Sequence, residues 1–344
     1  MAQGTTLTVS ADLVISSLEK AIKARASLFD AHHESALRLF NGFTEGYPHL
    51  VIDLYASTLV IHNYAQDPAQ ARSAVEEARD LLQNHLSWLR AGIVKIRNSK
   101  VPRQRRGQLL FGEKPDTKVR EHGVWYSIDL IMNRDASLYL DTRNLRKWLI
   151  ENLNGKTVLN AFAYTGSLGV AALAGGATRV VQHDHNRQFL NVARRSYTLN
   201  GFPIHKQDFI AADFFTLVGR LKRTGEAFDC VVIDPPFFST TSRGRVDQVN
   251  ESARLINKVR PLVNDGGYLI AINNALYLSG KEYMQTLELL CKDGYLSIRD
   301  LIPVPEDFTG YPETRLIDSI TDPAPFNHST KIAVLDVRRK QEKT

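Results

Sequence analysis

The stretch VLNAFAYTGSLGVAALAGGATRVVQHDHN, residues 158–186, decides the fold of this chain. An apolar run turns at small residues into an alanine-rich segment, and a second apolar run then ends at Asp184. This order predicts a β-α-β unit with a nucleotide site at the turn after its first strand. The G-x-G-x-x-G pattern of dinucleotide sites is absent, so the turn must hold a different ligand.

The alternation of strand and helix continues through the second half of the chain. The predicted parallel strands are TVLNAF, RVVQHD, HKQDFI, FDCVVID and YLIAINN. Near-continuous apolar strands separated by helices indicate a sheet covered on both faces. The last two segments, YLSIRDLIPV and KIAVLDVRR, lack a helix between them and predict an antiparallel pair. The fold class is therefore α/β, a doubly wound sheet of seven strands whose last strand is reversed.

The first half has a different pattern. A chain of 344 residues is long enough for two domains. Apolar spacing predicts helix within residues 12–40, then two short strands around an Ala-Ser turn in LVIDLYASTLVIHNYA, and a helix from about Pro68 to Leu86. We predict a smaller α+β domain over residues 1–125 and a catalytic domain over residues 126–344.

Composition excludes several classes of protein. No run approaches about 18 consecutive apolar residues, and the N-terminus lacks the pattern of a signal peptide. Two cysteines, Cys230 and Cys291, cannot form a disulfide framework or supply a zinc site. The sequence thus predicts a cytoplasmic protein without membrane or metal partners, and it leaves open whether the chain forms a homodimer.

The turn after the first parallel strand favours one kind of ligand. Gly166 and Gly169 are present, but Phe162 and Tyr164 stand where a pyrophosphate would press on bare backbone. The turn therefore suits a ligand with one nucleoside and no pyrophosphate, whose cationic and amino-acid ends need carbonyl and carboxylate partners. S-adenosylmethionine meets that description.

Two carboxylates follow neighbouring strands where such a ligand needs them. Asp184 ends the second strand, where an acid can accept both ribose hydroxyls. Asp213 follows the third strand, in position to meet the adenine amino group. Each residue has a purely structural alternative: Asp184 as a cap of the strand end, and Asp213 as the N-cap of the helix FFTLVGRLKR.

The segment FDCVVIDPPFFS carries the strongest chemical signal. A buried apolar strand ends in Asp234-Pro235-Pro236-Phe237, where the prolines stiffen the loop and the aromatic ring can stack on a flat substrate. A simple strand-ending turn is the alternative. The segment resembles the motif with which S-adenosylmethionine-dependent methyltransferases grip a nucleobase.

The resemblance extends to a family of class I ribosomal RNA methyltransferases that modify the large-subunit RNA at cytosine C5 or guanine N7. The similar segments are YLDTRNLRKWL, VLNAFAYTGSLGVAAL, GGATRVVQHDHN, ARRSYTLNG, FDCVVIDPPFFS and LVNDGGYL. NGFTEGYPHLVIDLYASTLVIHNYA is similar to the family's middle domain, so the likeness runs from about residue 38 to the end. Many cytosine-C5 members carry an N-terminal RNA-binding module; only about forty residues precede the similar region here, so we expect this chain to lack that module.

The resemblance implies two sets of site residues. The implied cofactor contacts are Arg143, Asn160, Phe162, Tyr164, Thr165, Gly166, Asp184, Asp213 and Asp234. The implied catalytic residues are Asp234, Pro235, Pro236, Phe237 and Asn273.

The residues after the fifth strand bear on the atom that is methylated. Methylation at cytosine C5 needs a thiolate to add to the ring, because that carbon is not nucleophilic unaided. Where the cytosine branch has a cysteine, this chain has Asn273 and Asn274, as the guanine branch does, and Cys230 lies within a strand. A nitrogen target needs only positioning, since it owns a lone pair. The sequence favours a nitrogen.

A basic segment between Lys95 and Arg120 predicts contact with RNA phosphates, with a solvated loop as the alternative. The candidate RNA contacts are Lys95, Arg97, Lys100, Arg103, Arg105 and Arg106. The predicted function is methylation of a base of RNA, most simply ribosomal RNA of the large subunit. A non-catalytic RNA-binding protein with the same fold and a nicotinamide-dependent oxidoreductase are the alternatives.

Overall fold

The computed structural model describes residues 11–339, which fall into two compact units. The first unit contains the residues up to Glu121, Ile128–Leu140 and Glu306–Asp318; the second contains His122–Ser127, Asp141–Pro305 and the residues from Ser319 onward. The sequence suggested one boundary, between residues 125 and 126. In the structure, Glu306–Asp318 belongs to the first unit although it follows most of the second unit in sequence. A single boundary therefore cannot describe the two units.

The first unit is built on one sheet. Its strands are β1 (Ala36–Asn41), β2 (Leu50–Tyr55), β3 (Thr58–Asn63), β4 (Ala91–Ile96) and β5 (Gln108–Gly112), adjacent in that order. A further short strand is β6 (Lys118–Glu121). The helices are α1 (Ala11–Ala24), α2 (Gly42–Glu45), α3 (Arg72–His85) and α4 (Pro102–Arg106). Apolar residues of α1 and α3 pack on one face of the sheet in a single core.

The prediction of helix within residues 12–40 is confirmed for α1, which ends at Ala24, and wrong for the last residues of that range. Residues Ala36–Asn41 form β1, which pairs antiparallel with β2. Leu37 and Leu39 enter the core, whereas Arg38 between them donates to Asp53 on the other face, at 2.8 Å. This period of two is the pattern of a strand. The two strands around the Ala-Ser turn and the helix that ends at His85 are confirmed.

The second unit contains a seven-stranded sheet. A short strand, β7 (Val124–Ser127), precedes it. The sheet consists of β8 (Thr157–Ala161), β9 (Arg179–Asp184), β10 (Phe209–Ala211), β11 (Phe228–Ile233), β14 (Val263–Asn273), β15 (Leu296–Leu301) and β16 (Lys331–Val337). Its order is β10-β9-β8-β11-β14-β16-β15, and β16 runs antiparallel to both of its neighbours. The predicted doubly wound sheet with a reversed last strand is confirmed.

Helices cover both faces of this sheet. They are α5 (Arg143–Asn152), α6 (Ser167–Ala174), α7 (Arg187–Leu199), α8 (Phe214–Thr224), α9 (Ser252–Val259) and α10 (Gly280–Cys291). Leu217, Leu255 and Leu287 of α8, α9 and α10 share one core with the sheet. Leu145 of α5 and Leu168 of α6 belong to a second core. The short α11 (Glu306–Thr309) lies in the first unit.

One element of the second unit was not predicted. The strands β12 (Phe238–Thr241) and β13 (Gly244–Asp247) form an antiparallel hairpin directly after the Asp-Pro-Pro segment. Apolar periodicity does not predict this hairpin because its residues are mostly polar and exposed. In the described part of the chain, no helix combines the length and apolar character that crossing a membrane requires.

Candidate active site

The loops that carry the predicted site residues open at one edge of the sheet. In the register of the parallel strands, Ala161 lies level with His183 and with Ile233. Ala211 lies level with Asp184. The loops after β8, β9, β10 and β11 therefore leave the sheet side by side, at the carboxyl ends of the strands where doubly wound folds bind ligands.

The loop after β8 has an unusual backbone. Phe162 and Tyr164 both have positive φ angles, of 59° and 51°, and Gly166 caps α6 with a φ of 79°. Non-glycine residues rarely adopt this region, so the surrounding structure must hold them there. Two bonds from β9 do so: the Ala163 N–H donates to the carbonyl of His183 at 2.7 Å, and the Tyr164 N–H donates to Asp184 at 2.8 Å.

The Asp184 carboxylate holds the backbone of the loop after β8 in place through hydrogen bonds. One carboxylate oxygen accepts from the Tyr164 N–H and the other from the Asn186 N–H, each at 2.8 Å. Burial raises the pKa of Asp184, and the two backbone bonds oppose that rise. The strand-end cap is thus present, and each carboxylate oxygen retains capacity to accept a further bond.

Gln182, a buried residue that sequence reasoning missed, fixes the same loop through hydrogen bonds from β9. Gln182 of β9 accepts from the Asn160 amide at 2.8 Å and donates to the carbonyl of Gly166 at 3.0 Å. A Cβ added to Gly169 would lie 2.2 Å from the Gln182 amide nitrogen, which explains why this position is glycine. The Oδ1 atom of Asn160 is buried without a hydrogen-bond partner. A polar residue within an apolar strand was the available signal for Gln182.

Asp213 acts as a helix cap. Its carboxylate accepts from the Thr216 N–H at 2.9 Å at the start of α8. Burial alone would raise its pKa, but the bonds from Thr216 and Thr241 outweigh burial and lower it. The N-cap alternative is therefore confirmed, and any contact with a cofactor would be additional.

Asp234 is a carboxyl group in an unfavourable environment for charge. It directly follows β11, and burial raises its pKa to about 7, with the nearby Asp141 carboxylate as the second cause. Asp141 itself accepts from the Thr330 hydroxyl at 2.8 Å. Arg143 begins α5 two residues later. A half-buried carboxyl beside another carboxyl is typical of functional sites.

A second buried glutamine, Gln248, joins the loops after β11 and β14. Its side chain donates to the carbonyl of Pro235 and accepts from the Asn274 N–H at 2.6 Å. Its backbone N–H donates to the carbonyl of Phe237 at 3.1 Å. Sequence reasoning missed Gln248 because it lies after the unpredicted hairpin.

The expectation for Asn273 needs correction. Its side chain is buried and donates to the Gln248 carbonyl at 2.8 Å and the Ser252 hydroxyl at 2.9 Å, while its oxygen accepts from the Ala275 N–H. Asn273 therefore shapes the loop rather than facing a substrate. The neighbouring Asn274 is exposed.

The aromatic residues of the Asp-Pro-Pro loop are presented to solvent. Phe237 is 49% exposed and Phe238 is 55% exposed, and Pro236 before them is also exposed. Aromatic rings left in water at the edge of a sheet are available for stacking. Cys230, in contrast, is fully buried within β11, and burial raises the pKa of its thiol.

Two members of the predicted RNA-binding set do not face solvent. Lys95 is fully buried and donates to the carbonyls of Arg106, Asn133 and Asp135, and burial lowers its pKa to about 7. Arg97 forms an ion pair with Asp135 at 2.8 Å. Lys95 and Arg97 are two positions apart, on β4 and directly after it, so their side chains leave the chain on the same side. The prediction of phosphate contacts is therefore wrong for Lys95 and unsupported for Arg97.

The fold and this edge define a class I methyltransferase. Residues 38–287 match the family model described as S-adenosylmethionine-dependent methyltransferase, and the chain belongs to that family. Its cofactor is S-adenosylmethionine. The family excludes the nicotinamide alternative. The residues beside the loop fit this cofactor: the Asp184 carboxylate ends β9, and the buried Oδ1 atom of Asn160 in β8 lacks a hydrogen-bond partner, so both can accept bonds from a nucleoside with a cationic end.

Curated relatives are similar over most of the chain. Ribosomal RNA large subunit methyltransferase I of Photobacterium profundum is 30% identical over 76% of this chain and 66% of that protein. Its namesake in Aeromonas salmonicida is 33% identical over 67% of this chain and 59% of that protein. The chain thus spans about two thirds or less of the length of these relatives.

Solved structures agree on the fold. A methyltransferase complexed with SAH superposes with a TM-score of 0.82 at 21% identity, over 96% of this chain and 82% of that one. A SAM-dependent methyltransferase from Streptococcus mutans gives a TM-score of 0.80 at 20% identity, with the same coverage. At this identity the likeness concerns the fold alone.

Proposed function

We propose that this chain methylates a nitrogen of a base in large-subunit ribosomal RNA, as the names of its curated relatives suggest for the substrate. The observation that carries the proposal is the Asp-Pro-Pro-Phe loop. It places a half-buried carboxyl with a raised pKa beside an exposed aromatic ring, next to the cofactor loop of β8. An amino edge and a flat face are the two features of a base that such groups recognise.

The cofactor would be held by the loops after β8, β9 and β10. When bound, S-adenosylmethionine supplies a methyl group on a cationic sulfur. Asp184 would accept the ribose hydroxyls with the lone pairs that its backbone bonds leave open. Phe162 and Tyr164 would flank the nucleoside. The full set of proposed contacts is Arg143, Asn160, Phe162, Tyr164, Thr165, Gly166, Asp184, Asp213 and Asp234, with Asn160 acting through its buried oxygen.

The target base would be held by the loop after β11. Phe237 would stack on the base, while Asp234 and the Pro235 carbonyl would accept bonds from its amino edge. Pro236 would keep the loop rigid. In this arrangement an ionised Asp234 would stabilise the positive charge that develops on the base as its nitrogen accepts the methyl group.

The environment of the cysteines supports a nitrogen target. Attack on cytosine C5 requires a thiolate that reaches the ring. Cys230 is buried within a strand with a raised pKa, and Cys291 lies at the end of α10, with burial also raising its pKa. The guanine branch of the resemblance, with its Asn-Asn pair, is the closer one. Two unpaired cysteines also favour a reducing compartment, and we place the reaction in the cytoplasm.

RNA contacts in the first unit would come from the exposed part of the basic segment. Lys100, Arg103 and Arg106 are exposed and Arg105 is half-buried, on or beside the short α4. These four cations remain the candidates once Lys95 and Arg97 are set aside, because only accessible charges displace counterions from phosphates.

The function is tested by transfer of tritiated methyl groups to large-subunit ribosomal RNA. The wild-type chain and a Cys230→Ala, Cys291→Ala double variant should label the RNA at similar rates. Loss of labelling in a folded double variant, together with a covalent adduct between wild type and RNA, would instead indicate cytosine C5. Cofactor binding without transfer to any RNA would favour the non-catalytic alternative.

A further inference from the structure

We propose that a basic surface of the second unit binds the phosphates of the RNA strand that flanks the target base; this rests on the proposed function. The hairpin surface, as we call it, is formed by the β12–β13 hairpin and the adjoining sides of α8 and α9. Its cations are Lys222, Arg243, Arg245, Arg254 and Lys258.

The ring of Phe215 joins the three elements of the hairpin surface. A Cβ added to Gly244 in the hairpin would lie 2.6 Å from this ring, so the hairpin rests directly on α8. From α9, Lys258 places its ammonium 5.3 Å from the ring centroid and Arg254 its guanidinium 5.8 Å away. Arg254 also donates to the Arg245 carbonyl at 2.7 Å. The cations therefore belong to one continuous surface.

The charges on this surface are out of balance. Glu251 pairs with Arg254 at 2.8 Å and with Arg245 at 3.4 Å, and Asp247 pairs with Arg245 at 3.7 Å. These two acids neutralise Arg245 and Arg254, and they leave the charges of Lys222, Arg243 and Lys258 to be balanced. The helix α8, FFTLVGRLKRT, contains no acidic residue. Burial lowers the pKa of Lys222, and the proximity of the Lys258 ammonium lowers it further. A fold that brings ammonium groups together produces a positive field that a polyanion relieves.

The hairpin also connects this field to the site of methylation. Phe238 begins β12 directly after Phe237, and both rings are exposed. The strand runs three residues further to Thr241, roughly 10 Å at about 3.3 Å per strand residue, and Arg243 lies in the turn that follows. Exposed aromatic rings followed by cations are the combination that binds single-stranded nucleic acid, through stacked bases and paired phosphates. An acidic protein would use the cations but not the aromatic rings.

The test compares two sets of three substitutions in the full chain. The hairpin set is Lys222→Ala, Arg243→Ala and Lys258→Ala. The control set is Lys147→Ala, Lys156→Ala and Lys292→Ala, which removes the same charge and likewise includes two exposed residues and one half-buried residue. RNA affinity is measured over a range of salt concentrations, beside cofactor affinity and methyl transfer.

The hairpin set should reduce the log–log salt slope by roughly 2, at about 0.7 per single-strand phosphate contact, and leave cofactor affinity unchanged. The control set should leave the slope as in wild type, and a charge-preserving set (Lys222→Arg, Arg243→Lys, Lys258→Arg) should restore it. An unchanged slope in the hairpin set, or an equal change in the control set, would contradict phosphate binding by the hairpin surface. The proposed function would still stand in that case, provided that the wild type transfers methyl groups to RNA. A wild type that neither binds nor methylates RNA would overturn both.

Discussion

The cofactor loop after β8 and the Asp-Pro-Pro loop after β11 are each fixed by one buried glutamine, yet they differ in what they leave open. Gln182 ties Asn160 to Gly166 and closes the cofactor loop on its own backbone. Gln248 ties Pro235 to Asn274 and so joins two loops across the edge of the sheet. Gln182 thus makes the cofactor loop rigid, whereas Gln248 fixes the distance between the loops after β11 and β14.

The difference concerns charge as well as backbone. In the cofactor loop, the carboxylate of Asp184 already receives two backbone bonds. In the Asp-Pro-Pro loop, Asp234 faces burial and a second carboxylate, and its pKa is about 7. Asp184 has hydrogen-bond partners before any ligand binds. Asp234, as a group that stabilises a developing charge, would gain its partner only during the reaction.

The largest effect should follow from Asp234→Ala. Loss of the carboxylate removes the acceptor for the base and for the charge that develops on it, so kcat should fall by about 10²–10³-fold. Cofactor affinity should change by much less, because Asp184 and the loop after β8 remain. Single-turnover transfer and calorimetry with the cofactor check the two parts. Equal losses in both would remove the distinction between the loops.

The two glutamines should separate the functions of the two loops. Gln248→Leu should lower kcat about 10–100-fold with little change in cofactor affinity, because it releases Pro235 and Asn274. Gln182→Leu, the same substitution in the other loop, should weaken cofactor binding to a similar degree, because it frees the Gly166 carbonyl. Each variant serves as the control for the other. Identical effects of both on cofactor binding would contradict the assignment of Gln248.

Asp184→Ala should weaken cofactor binding by about 1–3 kcal/mol through lost charge-assisted bonds and a loosened Tyr164 backbone. Asp213→Ala is the comparison variant: its carboxylate caps α8, so its loss should lower the melting temperature and weaken cofactor binding less than the loss of Asp184 does. Calorimetry and thermal unfolding distinguish them. Unchanged affinity in the Asp184 variant would remove that residue from the site.

The smallest effect should be one of pH on stability. The folded-state pKa of Asp234 is raised from 3.8 to about 7, so the native state holds more protons than the unfolded state between these values. Stability therefore falls as pH rises through this window, and Asp234→Asn should raise the melting temperature more near pH 8 than near pH 5. Transfer by the wild type should rise through about pH 7 as the carboxyl ionises. A variant whose gain is the same at both pH values would contradict the raised pKa.

Much of the fold could be predicted because apolar runs separated by helices leave few alternatives to a doubly wound sheet. The loop after β8 and the Asp-Pro-Pro segment were visible because glycine and proline act locally on the backbone. The role of Gln248 was hidden, since its partners lie in two loops distant in sequence. Lys95 and Asn273 misled because a charge or amide in a sequence does not reveal which side of a strand it occupies.

Identification of the methylated nucleoside tests the proposed nitrogen target. The full chain would be incubated with unmodified large-subunit ribosomal RNA and a cofactor that carries a deuterated methyl group, and the nucleosides would be separated and analysed by mass spectrometry. We expect deuterium on a base nitrogen of one nucleoside, and we expect Asp234→Ala to eliminate it. Deuterium in 5-methylcytidine, or no deuterium in RNA despite cofactor binding, would contradict this proposal.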